Sequence, residues 1–274
     1  MSDKLHWSFD DNYNLVKRVF PEGFSAPEST LPAGTFSPDA DWENSYDLVY
    51  TGPPDAGTDA HVYYGSLRIK AGFKKEQVNL AVTGIVQQNN SFKFERQHFQ
   101  AECTCRNEMF FPLSENTPWT VNLFLKNRID PATRPFAQMI EEGRLVPGRI
   151  EKKDAGGRWY TYRTVDAGTP VVSDWALLAS VHAVPRKKQE ISFGYFHELE
   201  RYTAGHQIHF LETLDASFGG REIKLHGYVQ TGRGIPPYYY WVDDSGRLLM
   251  ARYALSMLVY NANPRLEQEA RNDV

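Results

Sequence analysis

Arg96, His98, Gln100 and Glu102 alternate along one stretch of the chain, and alternation puts side chains on one face of a β-strand. Together they offer a cation, a titratable imidazole, an amide and a carboxylate, the groups that a polar ligand or a proton transfer needs. In this reading Arg96 anchors an anion, His98 is a general base, and Gln100 and Glu102 complete a ligand-binding set. The same pattern also describes the solvated face of an antiparallel sheet, which calls for polar residues without any chemistry.

The second constellation is the aromatic run Tyr238-Tyr239-Tyr240-Trp241, preceded by Gly232-Arg233-Gly234 and Pro236-Pro237. In a strand Tyr238 and Tyr240 face one way, Tyr239 and Trp241 the other. Buried phenols need hydrogen-bond partners, so one pair either meets solvent or lines a cavity. Tyr238 or Tyr240 then supplies a general acid, Trp241 a stacking surface, and Arg233 a partner for a carboxylate. Core packing on both faces is the competing reading. Gly232 and Gly234 make no phosphate loop, because the Lys and Ser/Thr of such a loop are missing.

Other chemistry-bearing residues have quieter explanations. His206, His209 and Glu212 would suit a metal on a helix, but the local sequence reads as a strand, where His209 opposes the other two. No metal and no cofactor are therefore expected. His182 sits on the apolar side of a helical segment, where burial would keep it neutral. Cys103 and Cys105 share a strand face and read as free thiols, since a bridge would close a very short, strained loop. Asp243-Asp244 belongs to a turn rather than to glycoside hydrolysis. A Gly-x-Ser-x-Gly elbow, a His-Glu-x-x-His pair and a Rossmann fingerprint are absent from the sequence.

The elements that must position these groups are mostly strands. Strands are predicted at 45–50, 61–69, 77–86, 91–105, 160–165, 191–196, 207–214, 222–230, 237–243 and 247–259, joined by short turns such as Gly219-Gly220 and Asp244-Ser245-Gly246. Two helices are predicted. One covers Pro131 to Glu142, with Asp130 as N-cap and Gly143 as C-cap glycine. The other covers Ser173 to Val184, capped by Ser173 and stopped by Pro185. The expected fold is mainly β: an antiparallel curled sheet, barrel-like or sandwich-like, with two short helices. It forms one β-rich domain over residues 1–274, with an irregular N-terminal segment 1–60 and a polar tail 264–274.

The chain has 274 residues and a formal net charge of -4, which gives no global attraction to nucleic acid. No stretch is long and apolar enough for a membrane-spanning helix. The N-terminus has no signal-peptide pattern, which favours the cytoplasm and leaves an exported mature form open.

The hairpin Tyr240-Trp-Val-Asp-Asp-Ser-Gly-Arg-Leu-Leu249 resembles an element of uncharacterised bacterial β-rich proteins of unknown function. In those, a Tyr-Trp strand, an Asp-x-x-Gly turn and an Arg-Leu-Leu strand lie near the end of a long-stranded antiparallel sheet. The resemblance covers the C-terminal third and implies a fold, not a reaction. The first functional expectation is a small-molecule-binding or structural β-protein with an aromatic-lined concave sheet, resting on 15 Tyr and 16 Phe. The alternative is a lyase or hydrolase acting on a carboxylated or sugar substrate by His/Tyr acid–base catalysis. A homo-oligomer built through exposed aromatics is the remaining partner reading.

Overall fold

The computed structural model describes residues 36–50, 62–87, 95–127, 137–218, 221–233, 235–253 and 256–264. Its first eight strands form a meander: β1 Trp42–Tyr50, β2 Val62–Lys74, β3 Gln77–Gln87, β4 Glu95–Arg106, β5 Pro118–Asn127, β6 Ala137–Val146, β7 Arg149–Lys153 and β8 Trp159–Thr164. The short strand β9 Val171–Ser173 leads into helix α1 Asp174–Ser180 and a 3-10 turn Val181–Ala183. Six strands follow: β10 Ile191–His197, β11 Arg201–Phe218, β12 Arg221–Thr231, β13 Tyr238–Val242, β14 Leu248–Tyr253 and β15 Ser256–Tyr260.

Among the described residues all fifteen strands belong to one sheet, because β15 returns to pair antiparallel with β1. The sheet curls but does not close: β8 and β9 are its two edges. Every pairing is antiparallel except β9 with β10. The loop after β4 covers the β9 edge, where Leu113 N–H donates to the Val171 carbonyl at 2.8 Å. The expected curled antiparallel sheet is therefore the observed fold.

Two devices bend the sheet. Register shifts occur at Leu48/Val49, Ile150/Glu151, Phe193/Tyr195, Phe210/Glu212 and Trp241/Val242, and bulges raise local twist. Glycines also sit under aromatic rings of the neighbouring strand. Gly84 lies opposite Phe99, and a Cβ there would meet the ring at 2.0 Å. Gly227 lies opposite Trp241 in the same way, at 2.5 Å. Each ring thus covers backbone that a side chain would otherwise hold apart, which lets the strands coil tightly.

The helix at Ser173 is present. Ser173 Oγ accepts the Ala176 N–H at 3.1 Å, and all seven helical residues are buried, so the helix sits against the concave face as a plug rather than on the surface. Of the helix expected at 131–142, the described part, 137–142, is not helical. Asp130 and Pro131 lie outside the described residues, and Ala137–Val146 is strand β6, paired with β5 and β7. Gly143 is not a cap; it lies opposite Trp119, whose ring a Cβ would meet at 2.0 Å. Ladder hydrogen bonds on both sides have overridden a helical composition. The single strand expected over 247–259 is two, β14 and β15, with Tyr253 opposite Ser256.

Cys103 and Cys105 are buried free thiols with sulfurs 3.9 Å apart. The hydrogen bond from Cys103 and burial push the Cys105 thiol well up, so it is inert as a nucleophile. At the hairpin between β13 and β14, Asp243 Oδ1 accepts the N–H groups of Ser245 and Arg247, both at 2.9 Å. Gly246 takes φ 87°, as the turn chemistry requires.

Candidate functional site

Helix α1 does not fill the concave face. Between it, β1 to β4 and the β10, β13, β14 and β15 strands lies a cavity of about 340 Å³. One wall is apolar, built by Leu48, Leu67, Val86, Phe99, Leu178 and Leu258. Trp175 stacks on Phe99 with centroids 5.5 Å apart and lines the same space. Its Nε1 is buried and meets no hydrogen-bond acceptor, a donor whose desolvation goes uncompensated.

The opposite corner is polar and comes from the first residue of α1, the end of β10 and the aromatic run. Asp174 Oδ2 lies 3.4 Å from His197 Nδ1, and Tyr195 Oη lies at 3.4 Å from the same nitrogen. Asp174 Oδ1 accepts the Glu198 N–H at 2.9 Å. That bond pins an unusual backbone, since Glu198 and Leu199 take φ of 52° and 57°, the left-handed region that non-glycine residues rarely enter. Such a turn persists where its surroundings over-determine it; here fully buried Leu199 anchors it. The result turns Glu198 into the cavity beside His197. Tyr238 stacks on Tyr253 at 4.1 Å and completes the corner.

The electrostatics of this corner favour bound protons. Burial pulls the His197 imidazole down, but the hydrogen bond and charge of Asp174 carry it above its ordinary value. Glu198 is solvent-exposed at the mouth of the cavity, and partial desolvation there, reinforced by Asp174, raises its carboxyl. Burial, then Asp174, raises Tyr238, and Tyr195 stands well up for the same two reasons. The phenols are hydrogen-bond donors at neutral pH. Arg252, buried next to this site, is lowered by burial to about 10, so it remains a cation. Because Nδ1 faces Asp174 and Tyr195, Nε2 is the His197 nitrogen left for a guest.

The structure brings together only part of the set read from the sequence. Tyr238 and Tyr240 share the cavity, but the Tyr240 hydroxyl is engaged, donating to Gln230 Oε1 at 2.6 Å. His98 does not reach them. Its neighbour Phe99 lines the cavity, whereas His98 stacks flat on Phe124 at 5.1 Å, on the face that carries exposed Gln100 and Glu102. Arg96 stands opposite Gln87 and Lys126 in the ladder; its side chain lies outside the described residues. Arg233 is exposed in the turn after β12. Trp241 is buried against Gly227, on the face away from Tyr240. His98 and Tyr238 thus lie on different faces of the sheet: one strand of a one-sheet fold has two faces, and alternation alone does not say which is concave.

No family profile matches the chain, and no curated protein matches it. Among solved structures, the chain is similar to a β-barrel-like protein of a domain of unknown function, DUF1849, from Brucella abortus, at 10% sequence identity, with a TM-score of 0.46, covering 83% of this chain and 97% of that one.

Among the described residues no group of three or more His, Cys, Asp or Glu is arranged to hold a metal, and no helix is long and apolar enough to cross a membrane. His206 and His226 are each held by hydrogen bonds, His206 to Thr203 and Gln230, His226 to Thr213 and Asp244. The residues the sequence did not single out are Asp174, His197, Glu198 and Trp175. Asp174 looks like an ordinary first-turn acid, and His197-Glu198 like a polar strand end. The available signal was the run His197-Glu198-Leu199-Glu200 immediately after an apolar strand, where acids crowd a histidine.

Proposed function

We propose that the protein binds a small amphipathic molecule inside its curled sheet. The observation that carries this reading is the cavity between α1 and the strands, apolar on one wall and proton-rich at the Asp174–His197–Glu198 corner. Its volume of about 340 Å³ falls at the low end of the usual range for small-molecule pockets. At roughly 30 Å³ per water-sized group it admits about eleven such groups. The guest has an apolar body against Leu67, Phe99 and Leu178, and a polar head that meets His197 Nε2, the Glu198 carboxyl and the Tyr238 hydroxyl. An acceptor on the guest would also satisfy Trp175 Nε1.

A second reading has its own observation. Asp174 and Tyr195 both address His197 Nδ1, an orienting arrangement that readies Nε2 as an acid–base group. Glu198, raised by partial desolvation, supplies a second proton donor. On this reading the protein is a lyase or hydrolase acting on a carboxylated or sugar substrate, with His197 in the role that the sequence assigned to His98.

A thermal-shift panel of eight-carbon acids, alcohols and amines beside monosaccharides tests the first reading, since a ligand of the folded state raises its apparent stability. At least one eight-carbon amphiphile stabilises the protein saturably, and Leu178→Phe, which narrows the cavity, removes the effect. If only monosaccharides stabilise, the amphipathic assignment fails and the second reading gains. Turnover of a hit that His197→Gln abolishes, with binding retained, establishes catalysis.

A further inference from the structure

A separate cleft of about 410 Å³ lies at the rim of the sheet, where the start of β1 meets the β13–β14 turn and the end of β15. It shares no lining residue with the interior cavity. We propose that this cleft binds a small oxyanion, a carboxylate or a phosphate group, through Arg247.

Arg247 is 7% exposed, and its guanidinium lies 5.0 Å from the Phe36 ring centre and 5.3 Å from that of Tyr260. Two aromatic rings hold it in place. Yet Nε is buried without a hydrogen-bond partner, and among the described residues no carboxylate pairs with this side chain. A buried cation in that condition is costly to the fold unless an anion meets it. By contrast, Arg144 and Arg149 share Glu151 at 2.8 Å.

The acids around the cleft are already engaged. Glu43 faces Arg68. Asp41 Oδ1 accepts the Phe73 N–H at 2.7 Å. Asp243, nearest in the chain, uses Oδ1 for the turn amides of Ser245 and Arg247 and for the Ser245 hydroxyl. Asn44, Ser37 and Ser45 line the same space and can add neutral donors to an anion's remaining oxygens. A planar guanidinium braced by rings is suited to two-oxygen recognition of carboxylate or phosphate.

The test is calorimetric titration of the full chain with acetate and, separately, with inorganic phosphate, in chloride buffer of matched ionic strength. Saturable binding of either anion is expected, and which of them binds identifies the class. Arg247→Lys keeps the charge but loses the planar fork, and binds about tenfold more weakly or worse. Arg247→Met abolishes binding and melts in chloride at or above the wild-type midpoint, because a buried unpaired charge has been removed. Absence of saturable binding to both anions in the wild-type chain overturns the proposal, whatever the variants do. Equal binding by wild type and Arg247→Lys or Arg247→Met overturns it as well, by moving the anion elsewhere.

Discussion

His197 and His206 lie on adjacent strands, β10 and β11, and have opposite fates. His206 is fully buried, with Nε2 2.9 Å from Thr203 Oγ1 and Nδ1 3.0 Å from Gln230 Nε2. Gln230 Oε1 accepts the Tyr240 hydroxyl, so its amide nitrogen must be the donor to Nδ1. The network therefore runs from Tyr240 through Gln230 and a neutral His206 to Thr203. Burial lowers the His206 imidazole to about 4, and both ring nitrogens are in use. His197 is half-buried, faces Asp174 through Nδ1, is held above its ordinary value, and lines the cavity. The contrast teaches that burial with two satisfied nitrogens makes a structural histidine. One oriented nitrogen beside a carboxylate, at the edge of a cavity, makes a candidate for binding or catalysis.

Removing the centre of the His206 network has the largest expected effect. Gln230→Leu leaves the Tyr240 hydroxyl and His206 Nδ1 buried without partners, and orphaned groups cost about 1–3 kcal/mol each. Urea denaturation should show a loss of about 2–6 kcal/mol; a loss near zero would dissolve the distinction between the two histidines.

Asp174→Asn acts on the other side of the comparison. The amide can still accept the Glu198 N–H, so stability falls by only about 1 kcal/mol. The His197 titration followed by NMR should fall, because burial is then opposed only by Glu198 and is assisted by Arg201. An unchanged His197 titration would mean that Asp174 does not govern it.

The two histidines also have opposite pH signs. His206 has a depressed folded pKa of about 4 against an ordinary value of about 6.5. Its contribution is complete above pH 6.5 and is lost as pH falls through about 4. His197 has a raised folded pKa, so its contribution is complete below about pH 6.5 and is lost as pH rises through its folded value. Urea midpoints of His206→Gln should therefore lose the acid-side decline, and those of Asp174→Asn the neutral-side one. The reverse assignment would invert the account.

The smallest effect belongs to His98. His98→Ala, on the outer face, should change stability by no more than about 0.5 kcal/mol and leave binding of any interior guest untouched. Weakened binding would return His98 to the site.

Much of the fold was legible because alternation and turn chemistry act locally. The Tyr238-to-Trp241 strand, its Asp243 turn and the Ser173-capped helix all follow from neighbours in sequence. The division of Tyr238 and Tyr240 from Tyr239 and Trp241 was legible for the same reason. Which pair faces inward was not, since that depends on the curl, and the curl comes from bulges and glycine–aromatic contacts between strands. β6 has a helical composition, and its identity as a strand rests on ladders to β5 and β7, which no local pattern reveals. The polar corner was hidden because Asp174 and Glu198 meet only through the left-handed turn after β10, across 24 residues of chain.

The proposed function stands or falls with a guest in the cavity beside α1. Its most direct test follows the Trp175 indole N–H resonance while octanol, octanoate and octylamine are titrated separately into the wild-type chain. At least one of them should produce a saturable shift, lost in Leu178→Phe and retained in His98→Ala. An indole resonance that none of the three moves would contradict it.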